Sequence, residues 1–403
     1  MTPAQPPPAA PLPPPLEHAM REHAARVAEE VVRVRSDLHA HPELAFEEVR
    51  TAALVAERCT ALGFHVRTGV GGTGVIAELD GSAPGPTLLV RADMDALPVQ
   101  EADDGRACRS TVPGVMHACG HDGHVAVALG VADVLAALRD RWAGCVRLCF
   151  QPAEEIDEGA QRMIADGALV GIDCALGLHL QAGLPTGSVS IGDGVQWSSS
   201  DELRVTVRGV GGHAGNPLDT IDPIAAAAEF VLALERLEEE HAPAVVRIAR
   251  FDAGTAANVV PETTTLAGTL RAFGVEQRAC LLAAVEGAAA EIQYERGVQI
   301  EVELGPDCPA VVCDPDVTAR VRAALAAALP ADSVLDGEPS TYADDMGRYL
   351  QTVPGCYFRV GASDLAAGPA FPHHHPRFDL DERSLPLATE LLARAALALL
   401  GVR

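Results

Sequence analysis

Residues 125–150 read VAVALGVADVLAALRDRWAGCVRLCF. Apolar residues recur at helical spacing from Val125 to Leu138, and the last six residues, Cys145–Phe150, form a short apolar run that favours a strand. Comparable apolar runs lie before and after this stretch, at Thr87–Val90 and Cys174–Leu178. Because strands that alternate with helices build a sheet covered on both faces, the sequence predicts an α/β fold.

The segment before these strands is predicted to contain two helices, Leu16–Leu38 and Glu47–Leu62. Gly63 is predicted to end the second helix in the left-handed conformation that glycine adopts readily. An apolar run at Gly74–Leu79 predicts a further strand. Residues 1–15 are rich in proline, which lacks an amide donor, and are predicted to form a disordered tail.

The middle of the chain has a different order of elements. Its apolar spacing predicts a strand, a helix, two strands, a helix and a strand, at Glu202–Val207, Pro223–Leu237, Val245–Phe251, Thr264–Leu270, Gln277–Ile292 and Val298–Val302. This order is typical of a ferredoxin-like α+β unit. Helices follow at Val317–Leu329 and Leu385–Leu399. We therefore predict a discontinuous catalytic domain, residues 16–197 and 310–403, with an inserted domain at residues 198–309.

The composition excludes several classes of function. With 403 residues, 48% of them hydrophobic and 21% charged, the chain is long enough for two globular domains. A formal net charge of −26 opposes binding to nucleic acids and to anionic membrane surfaces, so neither is an expected partner. The sequence contains no lysine, which excludes lysine Schiff bases and Walker-A phosphate sites.

The cysteine pattern bears on the compartment in which the chain works. The ten cysteines include no Cys-x-x-Cys pair, and no apolar secretory segment precedes them. We therefore expect reduced thiols and a cytoplasmic location. No uninterrupted apolar run reaches about 18 residues, so a membrane span is not expected.

The densest group of metal-ligand residue types is MHACGHDGH, residues 116–124. In an extended segment the side chains of Cys119 and His121 lie on the same side, which lets a thiolate and an imidazole converge on a metal site. The alternative to a metal site is that these histidines lie in a solvated loop, an interpretation that fits a lone histidine. That alternative is weaker for three histidines and a cysteine within nine residues.

A second group, QPAEE at residues 151–155, follows the apolar run Cys145–Phe150 directly. Ligands bind at the carboxyl ends of strands in open α/β sheets, so this position favours a functional site. Neighbouring carboxylates on an extended chain point in different directions, so that one can bind metal while the other addresses a water molecule. The alternative is a solvated acidic pair.

Two further histidine positions are candidates. His179 follows the apolar run Cys174–Leu178, and residues 373–375 are three consecutive histidines. A histidine at the end of a strand is often structural, and a histidine tract can lie on the surface. These histidines are therefore candidate metal ligands only in combination with the other two groups.

The chain resembles the amidohydrolase branch of the dinuclear aminoacylase and carboxypeptidase metallopeptidases, which includes hippurate hydrolase, N-acyl-amino-acid amidohydrolases and auxin-conjugate hydrolases. The resemblance begins at HAHPE, residues 39–43, and extends to the C-terminal helix. Six motifs occur in the order of the family: RADMDALP (91–98), MHACGHD (116–122), QPAEE (151–155), GGH (211–213), NVVP (258–261) and HHPRF (374–378).

The resemblance implies a site with two divalent metal ions per chain. The residues that would hold these ions are Cys119, His121, Glu155, His179 and His374. Glu154 would be the general base that deprotonates the attacking water. His374 matches the His-x-Pro pattern of the family through Pro376, and His373 and His375 match it less well. Asp93 would orient a metal-bound histidine, and Arg91 occupies a position that holds histidine in other branches.

The resemblance also implies a fold with a phosphorylase/hydrolase-like catalytic domain, with helices on both faces of a mixed sheet, and a ferredoxin-like lid and dimerisation domain. In that lid, His213 would polarise the scissile carbonyl in the site of a neighbouring subunit. Asn258 and Arg271 would bind the substrate. The expected assembly is a homodimer or a higher homo-oligomer formed through the lid.

The expected activity is hydrolysis of the amide bond of N-acyl amino acids, which are small-molecule substrates, by a metal-activated water. Thiolate and imidazole ligands suit Zn²⁺, and the carboxylates also admit Mn²⁺, Co²⁺ or Ni²⁺. One alternative is a metallo-dipeptidase or carboxypeptidase, and another is a non-catalytic metal-binding homologue. A cysteine hydrolase that uses Cys119 and His121 is a further alternative, although a single residue separates the two.

Overall fold

The computed structural model describes residues 12–106, 108–366, 368 and 370–402. The chain divides into two compact units. The first comprises the chain up to Gln196, the segment Val312–Glu338 and the chain from Asp345 onward, and the second comprises Trp197–Val311 and Pro339–Asp344. The last of these segments differs from the division expected from the sequence, which assigned residues 339–344 to the catalytic domain.

Hydrogen bonds explain why Pro339–Asp344 belongs to the second unit. The backbone amide of Ser198 donates to the carbonyl oxygens of Ser340, at 2.9 Å, and Tyr342, at 3.1 Å. The Ser198 hydroxyl also donates to the carbonyl oxygen of Thr341, at 3.0 Å. A short segment from the C-terminal half of the chain therefore completes the start of the inserted unit.

The helices and strands are numbered here in chain order. The helices are α1 (Pro14–Ala40), α2 (Val49–Ala61), α3 (His121–Ala137), α4 (Gly159–Ala165), α5 (Pro223–Glu240), α6 (Val275–Arg296), α7 (Pro315–Ala326), α8 (Met346–Leu350) and α9 (Ser384–Leu399). The strands are β1 (His65–Val70), β2 (Gly74–Asp80), β3 (Thr87–Asp93), β4 (Trp142–Ala143), β5 (Cys145–Gln151), β6 (Cys174–Pro185), β7 (Val189–Ile191), β8 (Gly194–Trp197), β9 (Ser200–Arg208), β10 (Gly212–His213), β11 (Val245–Ala253), β12 (Val259–Val260), β13 (Thr263–Arg271), β14 (Gln299–Cys308), β15 (Val311–Cys313), β16 (Val334–Asp336), β17 (Gly355–Ser363) and β18 (Gly401–Val402).

The first unit is built on an eight-stranded mixed sheet with the order β1-β2-β5-β3-β6-β17-β7-β16. Strands β5, β3, β6 and β17 are mutually parallel at its centre. The connection β3-α3-β5 moves one way across the sheet and β5-α4-β6 moves the other way. Because such crossovers are right-handed, α3 and α4 lie on opposite faces. The α/β fold with helices on both faces of a mixed sheet is confirmed.

The N-terminal helix begins earlier than expected. The predicted tail, residues 1–15, overlaps α1 at Pro14 and Pro15, and residues 1–11 lie outside the described residues. Proline is tolerated in the first turn of a helix because its missing amide would have no intrahelical acceptor there. Gly63 follows α2 with a φ of 86°, and its amide donates to the carbonyl oxygen of Thr60 at 3.0 Å, as predicted.

The second unit contains a four-stranded antiparallel sheet with the order β11-β13-β9-β14. Together with α5 and α6 this order is the ferredoxin-like arrangement that the middle of the sequence predicts. Asp222 caps α5 by accepting a hydrogen bond from the Ile224 amide at 2.8 Å, and Pro223 occupies the first turn. The unit has its own apolar core, in which Leu203, Phe230 and Leu281 are fully buried.

Four strands of the main sheet, β1, β7, β16 and β17, are not among those that the sequence predicts, and β17 and β1 illustrate the reasons. Strand β17 is buried at every residue, from Gly355 to Ser363, so it shows no alternation of apolar and polar side chains. Its arginine and its glycines also interrupt the apolar run that would mark a buried strand. At the other end, β1 is an exposed edge strand with the sequence HVRTGV. No helix of the described residues is long and apolar enough to cross a bilayer.

Helix α3 belongs to the first unit and is buried along almost its whole length. At Gly130, side chains of both α1 and α9 approach this helix closely. A β-carbon at Gly130 would lie 2.7 Å from Val31 Cγ2 of α1 and 2.8 Å from Thr389 Cγ2 of α9. Both neighbours are β-branched and buried, so their side chains cannot rotate away at low energy.

We predict that Gly130→Ala lowers the free energy of unfolding by about 1–3 kcal/mol, because overpacking outweighs the higher helix propensity of alanine. Gly287→Ala in α6 is the matched control, since nothing lies within 4 Å of the place that a β-carbon would take there. That control should raise stability by roughly 0.5–1 kcal/mol. Thermal unfolding of the two variants measures both effects, and stabilisation by both would contradict tight packing at Gly130.

Candidate metal centre

The candidate site lies at the carboxyl edge of the central parallel strands. Strand β3 ends at Asp93 and β5 ends opposite it at Gln151. His179 lies on β6, and helix α3 begins at His121. This edge is where open α/β sheets bind their ligands, because strand ends and helix N-termini converge there.

The structure brings the five predicted metal ligands together. Cys119, His121 and His179 each offer a ligand atom within 4.8 Å of the others. Cys119, Glu155 and His374 form a second such group. The Cys119 Sγ lies 3.7 Å from His179 Nε2, and Glu155 Oε2 lies 3.3 Å from His374 Nε2. Cys119 therefore belongs to both groups, as a residue shared between two neighbouring ions would.

Hydrogen bonds to the backbone fix the orientation of two histidines. His121 Nδ1 donates to the carbonyl oxygen of Asp95 at 2.9 Å, and His179 Nδ1 donates to the carbonyl oxygen of Leu180 at 2.9 Å. A neutral imidazole that donates through Nδ1 keeps its lone pair on Nε2. The Nε2 atoms of both rings are therefore available as ligand atoms.

Asp95 organises the acidic pair, which the sequence analysis did not foresee. Its Oδ1 accepts a hydrogen bond from the Glu154 amide, and its Oδ2 accepts one from the Glu155 amide, each at 3.0 Å. Ala153, just before this pair, has a φ of 52°, a left-handed conformation that turns the chain at the end of β5. The sequence signal for Asp95 was its place in the RADMDALP motif.

Asp93 has a different partner from the one expected. Its Oδ1 accepts a hydrogen bond from His124 Nδ1 at 2.6 Å, while its Oδ2 lies 3.8 Å from His121 Nε2, beyond hydrogen-bond distance. Asp95 contacts the ligand histidine instead: its Oδ1 lies 3.3 Å from His121 Nδ1. His124 in turn accepts a hydrogen bond from the Leu180 amide at 2.9 Å. Asp93 thus positions the backbone next to His179.

Arg91 neutralises the buried acids behind the site. Its guanidinium contacts Asp93 at 2.5 Å and Asp345 at 2.7 Å, and its Nε donates to Gln151 at 2.9 Å. Burial alone would raise the pKa of Asp93, but Arg91 and the histidines at 121 and 124 outweigh it and hold that pKa well below its usual range. Arg91 therefore acts as a buried counter-ion for Asp93 and Asp345.

The charge balance of the site fits divalent cations. Burial raises the pKa of the Cys119 thiol well above its usual value and that of Glu155 to about 8. Burial also lowers the pKa of His179 and keeps its ring neutral. Within the described residues, Glu155 Oε1 is buried without a hydrogen-bond partner. A bound cation favours thiolate and carboxylate and binds neutral imidazole, so this donor set suits a metal pair.

The three consecutive histidines have three different environments. His374 has a φ of 65° and faces Glu155. His373 points its Nδ1 at Cys119 Sγ, at 3.8 Å. The ring of His375 stacks on Phe371, with centroids 4.7 Å apart. Of the three, only His374 shares a candidate metal group with Cys119 and Glu155 within the described residues.

The remaining predicted residues lie in the second unit. His213 on β10 pairs with Val259 on β12, and the amide of Ala214 donates to the carbonyl oxygen of Asn258 at 3.0 Å. His213 and Asn258 are therefore neighbours, and both are exposed. Arg271 ends β13, where it pairs with Val245 of β11. These three residues are not part of the cluster in the first unit.

Comparison with known proteins identifies relatives over most of the chain. It is 36% identical over 379 residues to an N-acetylcysteine deacetylase of Bacillus subtilis, covering 92% of this chain and 97% of that protein. It is 35% identical over 392 residues to thermostable carboxypeptidase 2 of Saccharolobus solfataricus, covering 95% and 98% of the two chains.

The comparison with solved structures agrees. The YXEP protein of Bacillus subtilis, described as a dinuclear metal binding peptidase from the M20 family, has a TM-score of 0.82 and 33% identity, with 93% of this chain and 98% of that chain covered. The sequence family described as peptidase family M20/M25/M40 matches residues 89–398. The resemblance drawn from the sequence motifs is confirmed, and the chain belongs to peptidase family M20/M25/M40.

Proposed function

We propose that this hydrolase cleaves the amide bond of N-acyl amino acids. The observation that carries the proposal is the different placement of two adjacent carboxylates. Glu155 lies between two ligand histidines, with Oε1 3.8 Å from His121 Nε2 and Oε2 3.3 Å from His374 Nε2. Glu154 Oε2 lies 3.8 Å from the same His121 Nε2. The additional approach of Glu155 to His374 supports Glu155 as a ligand and leaves Glu154 as the proposed base.

Cys119, His121, Glu155, His179 and His374 would hold two divalent cations. When bound, such a pair acts as a Lewis acid on the amide carbonyl and makes a water molecule acidic near neutral pH. Zn²⁺ suits the thiolate and imidazole ligands and Mn²⁺ the carboxylate, and Co²⁺ or Ni²⁺ would also fit. The donor set favours Zn²⁺ or Mn²⁺ as the native metal.

Glu154 supplies the proton transfers of the reaction. Its carboxylate takes a proton from the attacking water and returns it to the nitrogen of the leaving amine, a contribution of about 10²–10⁴ in rate. Glu154 is 8% exposed, so its carboxylate is screened from bulk water yet open to the site. The backbone amide of Glu154 donates a hydrogen bond to Asp95, which fixes the backbone that carries the base.

The substrate carboxylate needs a cation, because a net charge of −26 opposes the approach of an anion. Arginine is the residue type available, since the chain has no lysine. Most arginines of the second unit pair with a carboxylate, as Arg204 does with Glu202 and Arg278 with Asp201. Within the described residues Arg271 has no such partner, and neither has Arg236 on α5. We assign Arg271 to the substrate carboxylate because it is the arginine that the family resemblance implies for substrate binding.

His213 and Asn258 complete the proposed substrate site. We propose that His213 hydrogen-bonds to the carbonyl oxygen of the scissile amide and that Asn258 binds the acyl amino acid beside it. Both are exposed, His213 on β10 and Asn258 in the turn just before β12, so neither is committed to the core of its own unit. The proposed assembly is a homodimer formed through the second unit, in which His213 serves the site of the partner.

The relationship to an N-acetylcysteine deacetylase supports acyl amino acids as substrates, and the relationship to a carboxypeptidase keeps peptides as a second candidate. A screen of N-acetyl, N-benzoyl, long-chain acyl and indole-acetyl amino acids against plain dipeptides, with Mn²⁺ or Zn²⁺ added, separates the two. Faster turnover of dipeptides than of every acyl amino acid would contradict the proposal. Absence of turnover with all substrates would favour a non-catalytic metal-binding protein.

We predict opposite consequences for the two neighbouring glutamates. Glu154→Gln should lower kcat by at least about 100-fold and leave the metal content unchanged, because the amide cannot accept the proton. Glu155→Gln should lower the metal content, because a carboxylate ligand is lost. Elemental analysis and kinetics of the purified variants measure the two effects.

The control is Glu57→Gln, which changes an exposed carboxylate on α2 and should alter neither kcat nor metal content. If Glu154→Gln loses metal while Glu155→Gln keeps it, the two roles are exchanged. If Glu154→Gln retains the activity of the parent enzyme, the proposed base is wrong.

We predict that Arg271→Ala raises KM for N-acyl amino acids by roughly 10- to 100-fold, in line with the about 1.5–3 kcal/mol of a hydrogen bond to a charged group. The effect should be much smaller for a substrate amidated at that carboxylate. Arg236→Ala is the matched control, because Arg236 is exposed on α5 and also lacks a carboxylate partner in the described part of the chain. Equal losses on the acid and the amide would make Arg271 structural.

A further inference from the structure

His373 has a defined place in the site that the proposed reaction does not explain. Its Nδ1 lies 3.8 Å from Cys119 Sγ, and its Nε2 lies 3.1 Å from the backbone amide of Ala182. The ring meets His179 edge to face at 5.0 Å and packs on Phe378 at 4.9 Å between centroids. Contacts from three segments of the chain thus hold the ring in one orientation.

The contact with Ala182 determines which nitrogen carries the proton. A backbone N–H only donates, so Nε2 of His373 must accept and must hold its lone pair. A neutral imidazole has a single ring proton, which then resides on Nδ1. The atom that faces Cys119 is therefore an N–H group and not a lone pair.

The second imidazole near the same sulfur has the opposite arrangement. His179 donates through Nδ1 to the carbonyl oxygen of Leu180, so its Nε2, 3.7 Å from Cys119 Sγ, carries a lone pair. One ring therefore presents a ligand atom beside the sulfur and the other presents a hydrogen-bond donor. This difference separates His373 from the ligand candidate His179.

We propose that His373 is a positioning residue that donates an Nδ1–H···Sγ hydrogen bond to the Cys119 thiolate. The proposal rests on the assignment of Cys119 as a metal ligand. The hydrogen bond would fix the direction of the sulfur and draw negative charge from it. Hydrogen bonds to an ionised acceptor are stronger than neutral ones, and such partners of ligands typically change metal affinity by about 10–100-fold.

The test uses the full chain loaded with Co²⁺, whose bond to a thiolate gives a charge-transfer band in the near ultraviolet. His373→Phe retains an aromatic ring between His179 and Phe378 but removes the donor. We expect this variant to shift the band to longer wavelength, because the sulfur electrons are no longer stabilised by the hydrogen bond. We also expect Co²⁺ affinity, measured by competition with a chelator, to fall by about 10–100-fold.

The matched variant is His373→Asn, whose side-chain amide places an N–H close to the position of Nδ1. It should restore much of the band position and of the affinity that His373→Phe loses. A merely structural role for the ring predicts the reverse, since phenylalanine fills the space better than asparagine does. Equal shifts in both variants, or none in His373→Phe, would overturn the proposal.

Cys119→Ala separates failure of this inference from failure of the proposed site. Loss of the charge-transfer band in Cys119→Ala, with no change in His373→Phe, leaves the cysteine as ligand and overturns the role of His373 alone. A band that persists in Cys119→Ala would contradict the ligand assignment itself. Loss of one Co²⁺ per chain in His373→Phe would show a ligand and not a donor, and would overturn the proposal.

Discussion

The Asp95 carboxylate joins the parts of the candidate site that come from different segments of the chain. Its two oxygens accept the amides of Glu154 and Glu155, and its own carbonyl oxygen accepts the Nδ1 proton of His121 at the start of α3. Adjacent carboxylates repel each other, so they need a rigid backbone to stay in place. Without the Asp95 carboxylate, the amides of Glu154 and Glu155 would lose their shared acceptor, whereas His121 would keep the backbone carbonyl oxygen of residue 95.

Arginine carries the positive charge behind this arrangement. Arg91 is paired with Asp93 and Asp345, and Arg35 is paired with Asp122, which also accepts a hydrogen bond from His39. Both guanidiniums are almost fully buried. Arginine keeps its charge under such burial, whereas a buried lysine loses its proton readily, so a chain without lysine has counter-ions that stay charged.

The sequence predicted the parts of this protein that rest on local patterns. The alternation of strands and helices predicted the sheet, and ordered motifs placed Cys119, His121 and the glutamate pair at its edge. The sequence did not predict β17, because its arginine and glycines interrupt the apolar run that marks the other buried strands. The sequence analysis also expected Asp93 to orient a metal-bound histidine. The motif RADMDALP contains two aspartates, Asp93 and Asp95, and the sequence does not show which of them contacts His121.

Helix α9 packs against α1 and α3. Helix α3 begins at the candidate metal ligand His121. During synthesis, the first unit therefore cannot close its core before α9 has left the ribosome. The inserted unit needs Pro339–Asp344, so it too must wait for a late segment. For most of its translation the nascent chain exposes apolar helix faces, and a truncated product would leave α1 and α3 uncovered.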